Sequence, residues 1–474
     1  MTAHPTIIPF EIRIPRGLKE AITLLNEIGG ESRLVGGCVR DALLGNEPSD
    51  FDVEVYGLEI EAIVEALRKT GKTNLVGKSF AVIKLWTRGA EYDFTVPRTE
   101  CKSGTGHRGF EVKADPNLEP EVALKRRDFT INALQYDPNK GVVIDYFGGR
   151  DDLKKGVLRH ISKAFSEDPL RALRAIQFAG RFGLLLDPST AQLCRDMKRE
   201  YSSLAIERVW GEWCKWSTKS IFPSKGLIAL RDSGWISFFP EINSLVRLPQ
   251  DPEWHPEGDV FIHTLHCLDA VVDSSEWQDY TDHQRSVLIF SVLCHDLGKA
   301  RCTRFAEKRG KLRWISPGHD QESGWLTESF LTRIGTPLGI QAKVRKLVEN
   351  HHYLNSFPGS TPSDVSLRRL ARRINPATTE ELRQVMQADH RGRPPLISEA
   401  QEKRLAEFKA RIAELELKDS APKALLRGRH LIEHGRNPGP EFKPILDRAY
   451  EAQLDGAFDD VSGALDWVRS QSLL

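Results

Sequence analysis

The sequence predicts an α+β protein, with an α/β head of 150 residues followed by all-helical domains. Three observations carry that reading. In the head, apolar residues alternate at Phe51, Val53 and Val55, and short apolar runs recur at Ala81–Trp86 and Tyr92–Val96, which is the period of strands. Beyond Asp151 the apolar spacing changes to three and four, as in PLRALRAIQFAGRFGLLL (169–186), which is the period of helices. Two proline-containing breaks, RLPQDPEWHPEGD (Arg247–Asp259) and GRPPLISE (Gly392–Glu399), divide the helical part.

A chain of 474 residues is too long for one core. The breaks give a head over 1–150, a neck and body over 151–246, a His-rich helical domain over 247–395 and a tail over 396–474. An amphipathic helix is expected over Leu58–Thr70 and a charged one over Ala400–Leu417. The Arg247–Asp259 break reads as a linker. Lys and Arg total 67 against 66 acids, so net charge favours no polyanion and any nucleic-acid surface must be local. The seven cysteines form no C-x-x-C pair and read as reduced, mostly buried thiols. The first sixteen residues hold no apolar signal region, and the longest apolar run, around Val287–Cys294, is too short to span a bilayer. A cytoplasmic protein with no membrane partner is expected.

The segment Leu34–Tyr56, LVGGCVRDALLGNEPSDFDVEVY, carries the most chemistry. A strand starting near Phe51 puts Asp50 and Asp52 on one face, where two carboxylates repel unless a dication joins them. The Gly36-Gly37 turn opens a helix with Arg40 near its start, offering N–H groups and a cation to a triphosphate. Asp93, in the neighbouring strand EYDFTV, is a candidate third acid. Such an arrangement suits two-metal nucleotidyl transfer; the plainer reading is a solvated strand edge. Arg126–Leu134, RRDFTINAL, places Arg127, Asp128 and Asn132 within two helical turns, suited to phosphate and ribose hydroxyls or to a surface ion pair with a capping acid. In FSEDPLRAL (Phe165–Leu173), Glu167, Asp168 and Arg171 gather at a helix start, where they either face a base edge or form a cap with a helix salt bridge.

Taken in order, GGCVRD, DFD, RRDFTINAL, DYFGGRDDL (Asp145–Leu153), EDPLR and ERVWGEW (Glu207–Trp213) resemble the bacterial-type (class II) tRNA nucleotidyltransferase and poly(A) polymerase family. The resemblance implies a polymerase-β-like head, Mg²⁺ on Asp50 and Asp52, and triphosphate contacts from Gly36, Gly37 and Arg40. It places Arg127, Asp128 and Asn132 near the ribose, and makes Glu167, Asp168 and Arg171 an amino-acid template for C and A. Tyr146–Asp152 resembles a flexible joint, and Glu207–Trp213 an element supporting the template helix. The implied substrates are tRNA, CTP and ATP. Full CCA addition, CC-only or A-only addition and poly(A) synthesis share these residues. The Gly-containing segment Thr99–Lys113 resembles a mobile loop used in switching from C to A, which favours full CCA addition.

Further on, His263, His295-Asp296, His319, His351-His352 and Asp389 follow the order H…HD…H…HH…D. Imidazoles and carboxylates in that pattern suit Mn²⁺, Ni²⁺, Mg²⁺ or iron. The order resembles HD-type metal-dependent phosphohydrolases over 257–392, which implies hydrolysis of cyclic or other phosphoesters. His263, His295, Asp296 and Asp389 match the four basic ligands, and His319, His351 and His352 the added ones. His266 is expected to be structural. In a second reading this hydrolysis is the main activity and the head only grips RNA ends. Lys72, Lys78 and Arg88, with Arg368, Arg369, Arg372, Arg373, Arg427, Arg429, Arg436 and Lys443, are candidate RNA contacts or, more simply, solvated charges.

Overall fold

In the computed structural model the described residues are 4–76, 82–102 and 110–473, with side chains of 100–102 and 110–112 excluded. They form two compact units, 1–238 and 239–474, so the division falls ahead of the 246/247 boundary expected from the proline-rich break. The first unit opens with the strands β1 (Thr6–Pro9), β2 (Glu31–Val35), β3 (Asp52–Tyr56), β4 (Lys72–Val76), β5 (Val82–Thr87) and β6 (Ala90–Thr95), followed by a β7–β8 hairpin (Arg98–Lys102, Phe110–Ala114), β9 (Gln135–Asp137) and β10 (Val142–Asp145). Eight of these make one sheet in the order β1-β10-β9-β2-β3-β6-β5-β4. Its β3–β6 pair is parallel and its other pairs antiparallel. The strands lie close to the expected runs. The hairpin brackets residues 103–109, so the centre of the expected switching loop lies outside the described residues, as does Lys78.

Pleating sorts the side chains into two faces. Leu34, Val53, Phe94, Ile83 and Tyr136 are register partners, all buried in the head core. Helix α1 (Arg16–Glu27) covers that face with Leu18, Ala21, Ile22 and Leu25, at spacings of three and four. Helix α3 (Ile60–Leu67) adds Ile63, Ala66 and Leu67, inside the predicted Leu58–Thr70. One residue along, Val35, Asp52, Asp93 and Lys84 are register partners on the opposite face. A one-residue slip would bury those acids.

Between β2 and β3 lies the short helix α2 (Gly37–Leu43), entered through Gly36 at φ 74°. After α4 (Pro120–Leu124), residues 126–134 form one 3₁₀ turn, Thr130–Asn132, and not the two helical turns expected. Phe129 is extended and bridges His160, so the chain cannot coil there before β9 begins. Helix α5 (Gly149–Lys155) follows, then β11 (Val157–Leu158) parallel to β12 (Leu185–Leu186), and α6 (Leu170–Phe182), α7 (Pro188–Asp196), α8 (Ile206–Lys219) and α9 (Pro223–Asp232). Trp216 of α8 packs beside Gly180 and Gly226, where no larger residue fits.

The second unit is helical. It contains α10 (Pro240–Asn243), α11 (Val260–Val272), α12 (Asp282–Cys294) and α13 (Lys299–Cys302), then a β13–β14 hairpin (Arg304–Lys308, Lys311–Ile315). Next come α14 (His319–Arg333), α15 (Leu338–Asn350), α16 (Asp364–Ile374), α17 (Thr379–Arg391) and α18 (Glu399–Glu414). The last three helices, α19 (Gly428–Glu433), α20 (Phe442–Leu454) and α21 (Val461–Ser470), have their own small core around Leu431, Ile445 and Val468. Arg247–Asp259 is no spacer: Asp259 caps α11 through the Ile262 N–H, and the side chain of Glu257 is buried. No helix of the described residues is long and apolar enough to cross a membrane.

Candidate active site and candidate metal centre

Asp52 opens the strand β3 and Asp93 lies directly beside it on β6. Asp50 precedes the strand, outside any helix or strand, so the two acids of DFD share a neighbourhood without sharing a strand. Lys84 donates to Asp93 at 3.1 Å and also pairs with Glu91. Although Asp52 opens to solvent, the protein crowded round its carboxyl pushes its pKa up. Asp93 and Asp50 push the same way, while Arg127 and Lys84 oppose them. Like charges held this close suit a dication, and the donor set fits one.

The turn beside them also forms as expected, and two arginines lie against it. A Cβ at Gly36 would lie 2.6 Å from an Arg127 guanidinium nitrogen, so Arg127 rests against the turn. Arg127 also donates to the Asn132 carbonyl at 3.2 Å. Arg40, expected to face phosphate, is 4% exposed. It donates to Asp41 at 2.8 Å and to the Asn132 side chain at 2.5 Å, and stacks over the Phe182 ring at 4.3 Å. Its guanidinium is held by Asp41 and Asn132 and also lies beside Gly37, so Arg127 and Arg40 both stand at the glycine turn.

Asn132 donates in turn to Asp128 at 3.0 Å, and Arg174 of α6 grips the other Asp128 oxygen at 2.7–2.8 Å. Burial pushes the Asp128 carboxyl up, but Arg174, Asn132 and the Phe129 N–H more than offset it and hold it below the usual carboxylate range. A polar chain thus runs Arg40–Asn132–Asp128–Arg174. Arg174 was not legible as a site residue: it sits in a helix as one of several arginines at ordinary spacing.

At the start of α6, Asp168 accepts from the Leu170 N–H at 3.1 Å and pairs with Arg208 of α8 at 3.0 Å. Glu167 is half-buried beside it. Arg171 does not bond Asp168 through its side chain; it donates to the Ala164 and Arg126 carbonyls at 2.7 and 2.6 Å. The motif Glu207–Trp213 does support this region, through Arg208. The Tyr146–Asp152 segment, expected as a joint, is hydrogen-bonded at both ends. Asp145 accepts from the N–H groups of Phe147, Gly148, Gly149 and Arg150, and Asp152 accepts from Thr130 and Arg159.

The second unit gathers its histidines as the sequence order implies. His263 Nε2 lies 3.1 Å from Asp389 and 3.7 Å from Asp296; His295 and His319 each place Nε2 3.2 Å from Asp296. His295 and Asp296 follow the last residue of α12, where the chain leaves the helix and both turn inward. Ligand atoms of His263, Cys267, His295 and Asp389 lie within 4.8 Å of one another, as do those of His319, His351 and His352. His295, His319 and His351 each donate from Nδ1 to a backbone carbonyl at 2.6–2.7 Å. Their Nε2 atoms are buried, make no hydrogen bond, and converge on the Asp296 carboxylate, which Lys299 also reaches. Buried orphans of that kind, with Nδ1 already satisfied, fit divalent ions. Burial holds His351 well below the ordinary histidine range and His352 at about 4, so both imidazoles are neutral and able to ligate.

The sequence reading missed a supporting layer. Glu257 contacts Nδ1 of both His255 and His263 at 2.8 Å, Lys299 reaches Asp296 at 2.8 Å, and Arg393 forks onto Asp389 at 2.6 and 2.8 Å. Single acids and bases outside a motif carry no spacing signal. Cys267 is buried beside His263, its thiol pushed up by burial and then by Asp389 and Asp296. His266 is exposed and stands apart from the cluster. Several candidate RNA cations are already engaged: Arg88 with Glu20, Arg369 with Asp455, Arg372 with Glu451, and Arg436 with the Leu473 carbonyl.

A mixed sheet with adjacent acids beside a glycine turn, continued by helices, defines a nucleotidyltransferase with a polymerase-β-like head. A family model described as the poly(A) polymerase head domain matches residues 32–159. The multifunctional CCA protein of Xylella fastidiosa (strain M23) is 36% identical over 374 residues, 77% of this chain and 84% of that protein, and its counterpart in strain M12 is equally similar. The Bacillus stearothermophilus CCA-adding enzyme in complex with CTP superposes with a TM-score of 0.63 at 21% identity, over 97% of this chain and 99% of that one. The Thermotoga maritima enzyme complexed with tRNA gives 0.58 at 21% identity, over 97% of each. The chain belongs to the bacterial class II tRNA nucleotidyltransferase family.

Proposed function

We propose that the first unit adds C and A to tRNA 3′ ends from CTP and ATP, and that the second hydrolyses phosphoesters. The observation that carries the first reading is the row of Asp52 and Asp93 in register beside the Gly36 turn, with Arg127 against it. The 36% identical relatives named multifunctional CCA proteins support the choice of tRNA and of both nucleotides. In the transfer, the tRNA 3′-hydroxyl attacks the α-phosphate and pyrophosphate leaves. Asp50, Asp52 and Asp93 would hold Mg²⁺, which supplies charge to stabilise the crowded phosphoryl oxygens. Lys84 fixes Asp93, Arg127 offers its cation over the glycine turn, and the Asp128–Arg174 pair ties the ribose-side residues to the template helix. Glu167, Asp168 and Arg171 would read the base edge, with Arg208 holding Asp168 in place.

Three tRNAs, ending before the first C, after one C and after both, test this directly. Labelled CTP should extend the first two and labelled ATP the third. ATP incorporation alone, confined to the third, would instead indicate an A-adding enzyme, and unlimited ATP addition a poly(A) polymerase. Arg208→Ala should raise the KM for CTP and ATP about tenfold and admit more UTP, with a stability loss below ~1 kcal/mol because the Arg208–Asp168 pair is partly exposed. Steady-state kinetics with each nucleotide would show it.

For the second unit, the buried, unbonded Nε2 atoms of His295, His319 and His351 beside the Asp296 carboxylate support a metal-dependent hydrolase. His263, His295, Asp296 and Asp389 would hold one ion, with His319, His351 and His352 extending the site to a second. Mn²⁺, Ni²⁺, Mg²⁺ and iron all suit a His and carboxylate set. A cytoplasmic setting accords with a tRNA-processing role and with the free thiols of the described cysteines.

A further inference from the structure

A cleft of about 1020 Å³ opens over the metal centre of the second unit, with His319 and His352 among its lining residues. That is at the upper end of the ~300–1,000 Å³ typical of small-molecule sites. One wall is the β13–β14 hairpin. Its pairing sets Arg304 opposite Ile315, Ala306 opposite Arg313 and Lys308 opposite Lys311, so one face carries Arg304, Lys308, Lys311 and Arg313 together. Arg313 is spoken for by Glu253 and Asp251, whereas Arg304, Lys308 and Lys311 have no ion pair among the described residues.

Two details make this wall costly for an isolated protein. Lys308 and Lys311 face each other directly across the ladder, an arrangement that destabilises a hairpin. The tight turn joining them places Arg309 at φ 55°, a left-handed conformation in which glycine or asparagine is favoured. Both features bring positive charge to the cleft where local stability argues against it. A partly exposed aromatic surface lies close by: Trp254, 55% exposed, lines the same cleft.

We infer that this hairpin wall binds the terminal few nucleotides of a single-stranded RNA whose end phosphoester lies on the metal centre. The inference rests on the hydrolase reading of that centre. Phosphates track the unpaired cations Arg304, Lys308, Arg309 and Lys311, and Trp254 offers a face for a base to stack on. The preferred substrate is then the end of an RNA strand, and a free mononucleotide uses the metal centre without the wall.

The test compares a 2′,3′-cyclic mononucleotide with a tetranucleotide RNA bearing the same cyclic end. Cleavage replaces one ring P–O bond by one to a water oxygen, with the proton passing to the released ribose oxygen. Full-length wild type with Mn²⁺ or Ni²⁺ should favour the tetranucleotide in kcat/KM. A variant combining R304S, K308S, R309G and K311S should lower the tetranucleotide-to-mononucleotide ratio about tenfold or more, and flatten the salt dependence of tetranucleotide turnover by about two or more in logarithmic slope. K308R/K311R, which keeps the charge, should retain the preference. If wild type cleaves both substrates with a ratio the variant shares, the RNA-wall inference fails while the hydrolase reading stands. If neither is cleaved with any divalent ion, the hydrolase reading fails, and fluorescence anisotropy of the tetranucleotide then judges the wall: equal affinity in wild type and variant overturns it.

Discussion

Asp52→Asn is expected to reduce CTP and ATP incorporation roughly a thousandfold or more, because it removes a charge from the centre of the row of acids proposed to hold Mg²⁺. The same change should raise the melting temperature of metal-free protein near neutral pH. The sign follows from the direction of the Asp52 shift. Its carboxyl titrates above the ordinary value because crowding protein atoms, then Asp93 and Asp50, disfavour the charged form. At a pH below the ordinary value the group is protonated both folded and unfolded, and the fold keeps the full benefit. As the pH rises through the raised value, that contribution is lost from the wild type. The variant has no such group to ionise, so its advantage should grow between about pH 4 and 7 in EDTA, and should shrink when Mg²⁺ is added. Thermal unfolding with and without Mg²⁺ measures this; a variant that melts earlier than wild type in EDTA at pH 7 would contradict it.

Asp296→Ala should abolish phosphoester hydrolysis, with a loss of about a thousandfold, and leave CTP and ATP incorporation within about twofold. Asp296 meets His295, His319 and Lys299 at 2.8–3.2 Å. Burial opposes its charge, yet His295 and Lys299 hold the carboxyl well below the usual range, so it is an anion at any working pH. Its loss strands Lys299, itself 8% exposed, without its carboxylate, at a cost of about 3–5 kcal/mol. The conservative Asp296→Asn keeps the shape and separates lost chemistry from lost folding. Hydrolysis of a model phosphodiester with Mn²⁺ or Ni²⁺, alongside CTP incorporation by the same preparation, gives both readouts. Retained hydrolysis in the Asn variant would remove Asp296 from the ligand set.

Much of this is legible in the sequence itself. The alternation at Phe51, Val53 and Val55 has a strict physical meaning, since one face of β3 must be buried, and that placed Asp52 on the other face. Asp93 was reachable because a neighbouring strand offered one acid at its centre. The histidines of the second unit announced themselves by number and order. What stayed hidden depended on contacts distant in sequence. Arg40 reads as a phosphate cation, and its packing against the rings of Phe178 and Phe182 leaves no signal near it in the sequence. Arg174 and Arg208 look like helix-surface charges until their partners Asp128 and Asp168 are seen. Glu257 lay in a proline-rich stretch whose composition says linker, and its burial against His255 and His263 follows from the path of the chain alone.

The hydrogen bonding around Asp145 and Asp152 has a mechanical meaning. One carboxylate clamps four successive amides at the entry to α5, another is braced by Thr130 and Arg159, and Gly149 lies so close to the Thr130 carbonyl that a Cβ there would come within 2.2 Å. These bonds splint the stretch at both ends. A splint transmits torque, so any rocking of the sheet during successive additions must carry α5 with it and be absorbed further along the chain.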